Sequence, residues 1–238
     1  MRQLLPTYAD EVDLREAYAY PADRTWVRAN MVSSLDGSAV QDGRSGMLSG
    51  AADKAVFATL RGLCDAVLVG AGTARTEGYR APRAKESWAE HRRGLGQVPA
   101  PTLVLASGRL DLDPGSDLFT GDERTIVVTT DRADHVAKAR LAEVADVVDV
   151  GDEHVDMAEV VAQLTERGLT RVLCEGGPTL LGGVVGAGLL DELCLSLSPK
   201  LVGGDGTRIV HGVPLDVSFR PAHLLEDEGV LFGRYVRA

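Results

Sequence analysis

The sequence lacks any apolar run close to the ~20 residues that a membrane-spanning helix requires. A mean hydropathy of −0.01 speaks against a membrane protein as well. The segment from Met1 to Asp13 turns acidic where a secretory signal would need its apolar stretch, so the chain is expected to be soluble and cytoplasmic. Cysteine is scarce: Cys64, Cys174 and Cys194 form an odd, scattered set inside apolar runs, which argues against a disulfide framework and suits a reducing compartment. No second cysteine or histidine stands at metal-ligand spacing from them, and the five histidines are dispersed, so no metal site is expected. Positive charge is scarce too. Net charge is −10 and the isoelectric point about 5.0. The one basic cluster, Arg80, Arg83, Lys85, Arg92 and Arg93, reads equally well as a solvated loop or an anion site. Nucleic acid is not an expected partner.

What is present is the alternation of an α/β protein. A hydrophobic fraction of 45% is ample for a full core. Strands are expected over residues 25–32, 66–69, 102–106, 125–130, 147–150, 171–174 and 192–197. The run 66–69 is continuously apolar, as a strand buried on both faces requires, and 171–174 reads as another buried strand. One helix is expected after Ser49 as N-cap, with Val56, Leu60 and Leu63 on one face. Others are expected over 134–144, over 157–167 closed by Gly168, and from Pro178 to about residue 190. Residues 223–226 and 230–236, around Asp227-Glu228-Gly229, read as a C-terminal hairpin. This pattern implies a mostly parallel sheet with helices on both faces, made mixed by the hairpin. Residues 1–24 read as a poorly patterned leader with a short helix around 9–19, and residues 25–238 as one domain. The polar stretch 77–97 reads as a long loop of the kind that is often functional.

Two segments set glycines directly after a buried strand, where open α/β sheets bind ligands and helix N-termini offer free N–H groups to anions. Gly176-Gly177 before Pro178 fits a phosphate loop, and fits a tight strand-to-helix turn equally well. Gly70-Ala71-Gly72-Thr73 opens like a dinucleotide fingerprint, but Arg75 stands where the third glycine belongs, which leaves a nucleotide-binding α/β fold other than the Rossmann type. Ser33-Ser34-Leu35-Asp36-Gly37, by itself, is a turn. Ser107-Gly108-Arg109 and Thr129-Thr130 each follow a strand. Hydroxyls with an arginine suit the 2′-phosphate that separates NADPH from NADH, although each segment singly is an ordinary loop.

Taken together, the segments from Asn30 to Gly37, Asp65 to Thr73 and Cys174 to Leu180, followed by Asp191-Glu192-Leu193 and Ser198 to Gly204, resemble the pyrimidine reductase domain of bacterial riboflavin biosynthesis. The similarity runs from about Trp26 to the C-terminus. It implies a dihydrofolate-reductase-like fold, an NADPH cofactor, a homodimer, and reduction of a ribosylaminopyrimidine phosphate to its ribityl product. It further implies that Gly70, Gly72, Thr73, Glu175, Gly176, Gly177, Thr179 and Leu180 bind the cofactor, with Ser107, Arg109 and Thr130 near its adenosine phosphate. Asn30, Ser34 and Asp36 would face the pyrimidine and the nicotinamide. Arg80 and Arg83 would clamp the substrate phosphate, and Glu77 or Asp36 would relay a proton.

The sequence departs from the family pattern twice. Ser38 follows Ser-Leu-Asp-Gly where the family has lysine or arginine, and Thr76-Glu77-Gly78-Tyr79 stands where it has Asp-Asp-Pro. Both departures fall on the substrate side. Reduction of a pterin such as dihydrofolate is therefore a second reading, and an NADPH-binding paralogue without turnover a third. The zinc deaminase signature that is often fused to such domains is absent from this sequence.

Overall fold

The computed structural model describes residues 1–212 and 214–238. In chain order the elements are β1 (Arg2–Leu5), α1 (Leu14–Ala17), β2 (Trp26–Ser34), α2 (Ala51–Leu63), β3 (Ala66–Gly70), α3 (Ala71–Thr76), α4 (Glu86–Gly94), β4 (Thr102–Ala106), β5 (Ile126–Thr129), α5 (His135–Ala142), β6 (Asp146–Asp149), α6 (Met157–Glu166), β7 (Arg171–Cys174), α7 (Pro178–Gly186), β8 (Glu192–Ser198), β9 (Phe219–Asp227) and β10 (Val230–Arg237). The strands form one sheet in the order β1-β9-β10-β8-β2-β7-β3-β4-β5-β6. From β8 to β6 all neighbours are parallel, and the hairpin β9–β10 and edge strand β1 add antiparallel pairs. This is the mixed, mostly parallel α/β sheet with a C-terminal hairpin that the pattern implies.

The strand period of two divides the core. Val67 and Val69 point to one face, with Val56, Leu60 and Leu63 of α2, Trp88 of α4 and Leu141 of α5. Ala66 and Leu68 point to the other, with Val160 and Leu164 of α6 and Leu181 and Val184 of α7. All four strand residues are fully buried, which is why the run is apolar without alternation. Strands β3 to β6 step outward in sequence order, and α6 then carries the chain back to β7, between β3 and β2. At that point α3 leaves the end of β3 toward one face and α7 leaves the end of β7 toward the other. A crevice opens between such diverging connections.

Three local expectations are corrected. Residues 1–24, poorly patterned in sequence, pack onto the sheet: β1 pairs with β9, Tyr18 is fully buried, and Arg28 Nη1 donates to the Tyr18 carbonyl at 2.8 Å. A four-residue edge strand carries too little pattern to be seen without its partner. The stretch 77–97 holds helix α4, which turns only Trp88 and Arg92 inward. Ser49 does not cap α2; Gly50 is the N-cap, without a side-chain hydrogen bond.

One polar cluster lies inside the fold at the start of β2. Arg28 and Glu192 have fully buried side chains and pair at 2.5 Å. Arg234 Nη2 donates to Glu192 Oε2 at 2.9 Å, and Trp26 Nε1 donates to the same oxygen at 3.1 Å.

Candidate active site

The crevice holds two joined chambers. The long one, about 570 Å³, runs along the C-terminal ends of β3, β4 and β5 past Gly70, Gly72, Thr73, Ser107, Gly108, Thr130, Thr179 and Leu180. The compact one, about 410 Å³, lies toward β2 and is lined by Asn30, Met31, Ser45, Asp53, Phe57, Glu77, Tyr79 and Glu175, among others. Gly72, Thr73, Gly177 and Pro178 line both, and so form the threshold between them.

Two glycine segments build that threshold by packing against each other. Gly70 N–H donates to the Gly176 carbonyl at 2.8 Å. A Cβ on Gly177 would overlap Thr73 Oγ1, so the backbone of one loop sits on the side chain of the other. Gly176 has φ +82° and joins Gly177 through a cis peptide. A side chain there would meet Met31 Cε at 3.3 Å. These two glycines answer to the fold itself. Gly72 and Gly108 differ: a Cβ on either meets no protein atom within 4 Å, so it would stand in open space at the chamber. The N-termini of α3 and α7 face the long chamber, and Pro178 at the first position of α7 leaves the N–H groups of Thr179 and Leu180 next in line. Glycine backbone and free helical N–H groups fit a pyrophosphate-bearing cofactor.

In the compact chamber, Glu77 Oε1 accepts from Ser45 N–H at 2.8 Å. Glu175 is held by Arg61 through two hydrogen bonds of 2.7 and 2.6 Å, with its side chain 2% exposed. Arg61 in turn lies over the rings of Phe57 and Tyr79. Glu175 is thus part of the wall. Asn30 Oδ1 is buried and has no hydrogen-bond partner among the described residues.

Other expected residues are not brought here. Ser34 donates to the Asp36 carboxylate and accepts from Ser38 N–H, and neither Ser34 nor Asp36 lines either chamber. Asp36 also accepts from the backbone N–H groups of Val202 and Gly203, at 3.1 and 2.6 Å. The Ser34 hydroxyl and these two amides pull its pKa down to about 2. It lashes two loops together. Ser38 is buried, and a Cβ on Gly206 would overlap its hydroxyl. Arg80 pairs with Asp117 at 3.2 Å and Arg83 donates to the Thr120 carbonyl at 2.8 Å; both border a separate cavity beyond Arg61. Arg109 is exposed just after Gly108, outside the lining of the long chamber.

Sequence reading missed Asp53, Ser45 and Phe57 in the compact chamber, and Glu153 and His154 in the long one. For Asp53 a signal exists: it shares the buried face of α2 with Val56 and Leu60, at helical spacing. An acid on an apolar face is the anomaly. For Glu153 and His154, in an unpatterned loop, no local signal exists.

Fold and crevice define an α/β protein with two adjoining chambers at the C-terminal ends of its central strands. The chain belongs to the family described as the RibD C-terminal domain, which matches residues 25–231. It is 28% identical over 182 residues to 2,5-diamino-6-ribosylamino-4(3H)-pyrimidinone 5′-phosphate reductase of Archaeoglobus fulgidus, covering 76% of this chain and 83% of the relative. It is 30% identical over 188 residues to riboflavin biosynthesis protein RibD of Mycobacterium tuberculosis, covering 78% of this chain but 44% of that one. A solved pyrimidine reductase-like protein of Corynebacterium diphtheriae superposes with a TM-score of 0.86 at 25% identity, covering 95% of this chain and 99% of the other.

Proposed function

We propose that this protein uses NADPH to reduce the ribosylamino group of 5-amino-6-(5-phosphoribosylamino)uracil, or of its 2-amino pyrimidinone analogue, to a ribitylamino group. The observation that carries this reading is the shared threshold: a chamber of about 410 Å³ adjoins a glycine-lined one of about 570 Å³ across Gly72, Thr73, Gly177 and Pro178. The names of the relatives support the substrate.

When bound in the long chamber, a nicotinamide supplies the hydride. The chain's own residues do the rest. The first turn of α7 receives the pyrophosphate, and Ser107 and Thr130 flank the adenosine end, with Arg109 free to swing onto a 2′-phosphate. The threshold sets donor against acceptor, and holding them about 3–3.5 Å apart supplies much of the acceleration. The sugar ring opens to an imine, hydride adds to its carbon, and the nitrogen takes a proton. Glu77, anchored by Ser45 N–H and lining the compact chamber, holds that proton. Asp36 takes no part, being outside both chambers and ionised far below neutral pH.

Loss of reduced-nicotinamide absorbance tests the reading. We expect turnover with NADPH and the ribosylaminopyrimidine phosphate, and Arg109→Ala should raise the KM for NADPH roughly tenfold while sparing NADH, as losing one charge-assisted hydrogen bond does. An equal effect on both cofactors would remove Arg109 from the 2′-phosphate. No turnover would overturn the reading.

One observation favours a second substrate class. Among the described residues no lysine, arginine or histidine lines the compact chamber, and a pterin would need none. A phosphate would instead sit at its mouth, where Arg44, between the lining residues Gly43 and Ser45, is exposed and has no ion-pair partner among the described residues. Arg44→Ala should lower kcat/KM about tenfold for the phosphorylated substrate and leave a dephosphorylated analogue unchanged. Wild-type indifference to the phosphate, with turnover of dihydrofolate, would favour the pterin. The reading includes a cytoplasmic homodimer. Leu35 and Leu201, 56% and 77% exposed on loops joined by a hydrogen bond from Leu35 N–H to the Lys200 carbonyl, offer it an apolar contact.

A further inference from the structure

Arg80, Arg83, Lys85 and Arg92 of the basic cluster, together with Arg61, line a third cavity of about 360 Å³. Among the described residues no aspartate or glutamate lines it. In a chain of net charge −10, a cavity walled by cations alone runs against the composition. Ordinary surface pairing accounts for two of them, since Arg80 pairs with Asp117 and Arg83 reaches the Thr120 carbonyl. It does not account for Arg92.

Arg92 is 1% exposed. Its Nε donates to the Val98 carbonyl at 2.7 Å, and its Nη1 donates to the carbonyls of Gly62 and Cys64 at 2.9 and 2.8 Å, closing the C-terminal end of α2. Those bonds use part of a five-donor fork. Nη2 is buried with no hydrogen-bond partner among the described residues. Burial pulls the pKa of the guanidinium down, and Asp65 and Glu123 do not restore it. A buried cation without a counter-charge is costly, and an anion held in the adjoining cavity would offset that cost.

The remaining walls narrow the choice of anion. Ala58, Ala81, Pro82, Pro99 and Pro101 are apolar, and Trp88 adds an aromatic ring. That ring is held in place: it sits where a Cβ on Gly62 would overlap it, and Arg15 lies over it at 4.4 Å. Apolar walls with a few converging charges, in a cavity of this size, have the form of a small-molecule site. We propose that this cavity is an effector site for a small aromatic anion, a planar ring that carries a carboxylate or a phosphate ester. The ring takes the apolar wall, and the anion takes the charges of Arg83, Lys85 and Arg92.

Arg61 carries the effect to the compact chamber. Its Nε and Nη2 hold Glu175 in the wall of that chamber, while its side chain also lines this cavity. An anion placed beside it competes with Glu175 for one charge. Glu175 directly precedes Gly176 and Gly177 of the threshold, so occupancy slackens the threshold and lowers turnover. The binding site stands apart from the reductase reading, and only the effect on turnover rests on it.

The test is calorimetric titration of the full chain with phenyl phosphate, benzoate, inorganic phosphate and phenol, with and without NADP+. Phenyl phosphate or benzoate should bind at one site per chain, at least tenfold tighter than inorganic phosphate or phenol. Lys85 is exposed at the rim, so Lys85→Glu should weaken that binding at least tenfold by setting a like charge against the anion. The tighter of the two aromatic probes tells a carboxylate site from a phosphate site. Equal binding of inorganic and phenyl phosphate would mean an adventitious ion only and would overturn the proposal. So would the absence of binding, displacement by NADP+, or undiminished affinity in Lys85→Glu. In assays with NADPH and pyrimidine both saturating, the tighter probe should lower kcat severalfold in wild type and leave Lys85→Glu unresponsive. A kcat that does not fall would overturn the effector role. If no pyrimidine turns over at all, the reductase reading fails, and the titrations still decide the site.

Discussion

Gly177→Ala is expected to weaken NADPH binding about 100-fold and to lower the melting temperature by several degrees, and adding Thr73→Ala is expected to restore the melting temperature. The argument is steric. A methyl group on Gly177 would overlap Thr73 Oγ1, while the next nearest atom, Thr73 Cβ, stands at 3.7 Å, an ordinary contact. The clash is with one oxygen atom. Overpacking of this kind costs about 1–3 kcal/mol, which in a chain of this size lowers Tm by roughly 2–4 °C per kcal/mol. The larger effect falls on the cofactor, because the displaced loops carry the N-termini of α3 and α7, and a site held only loosely in its productive geometry loses several kcal/mol of binding. Thermal melts of the two single variants and the double variant, with titration of NADPH, form a double-mutant cycle. If Gly177→Ala melts and binds like wild type, the loops have slack and their packing does not organise the threshold.

Breaking the buried cluster should have the largest effect on stability. Glu192→Gln is expected to cost about 3–5 kcal/mol at neutral pH, because it leaves Arg28 charged and fully buried with little beyond backbone carbonyls and the face of Tyr20 around it. The pH dependence follows from two groups of opposite kind. Burial alone would push the Glu192 carboxyl up, but Arg28 and Arg234 outweigh it and hold it below its ordinary 4.5. Its stabilisation is therefore complete above about 4.5 and is lost as pH falls through the lower native value. His223, 5% exposed with Nε2 unpartnered among the described residues and Arg234 nearby, is pushed down from 6.5 to about 4 by burial and then by that charge. It stays neutral in the fold and protonates on unfolding, so stability already declines between pH 6.5 and about 4. Denaturant unfolding across this range should show the His223 decline in both proteins, from a much lower starting point in Glu192→Gln. Equal stability of the two proteins at pH 7 would show that Arg28 does not depend on Glu192.

The parallel core and the glycine segments were legible in the sequence for a local reason. Ala66–Val69 and Val172–Cys174 are apolar at every position because both faces of a central strand are covered, and glycines after such strands mark where the chain turns at the sheet edge. Strand β1 was not legible, since a short edge strand is defined by its partner β9. Asp36, Arg80 and Arg83 stood in segments of the right kind, yet they turn to loop amides, to Asp117 and to the Thr120 carbonyl. Asp53 was visible as an acid on an apolar helix face, but helical spacing shows that a residue is buried and not what it is buried against.

By itself, then, the sequence determined the fold class, the order of elements and the two loops that close the threshold, because periodicity and backbone-permissive residues act over a few positions. Only the tertiary structure decided which polar side chains share the compact chamber. Asn30, Asp53, Glu77 and Gly177 lie far apart along the chain and meet because β7 inserts between β2 and β3, and that meeting is a long-range adjacency that no local pattern encodes.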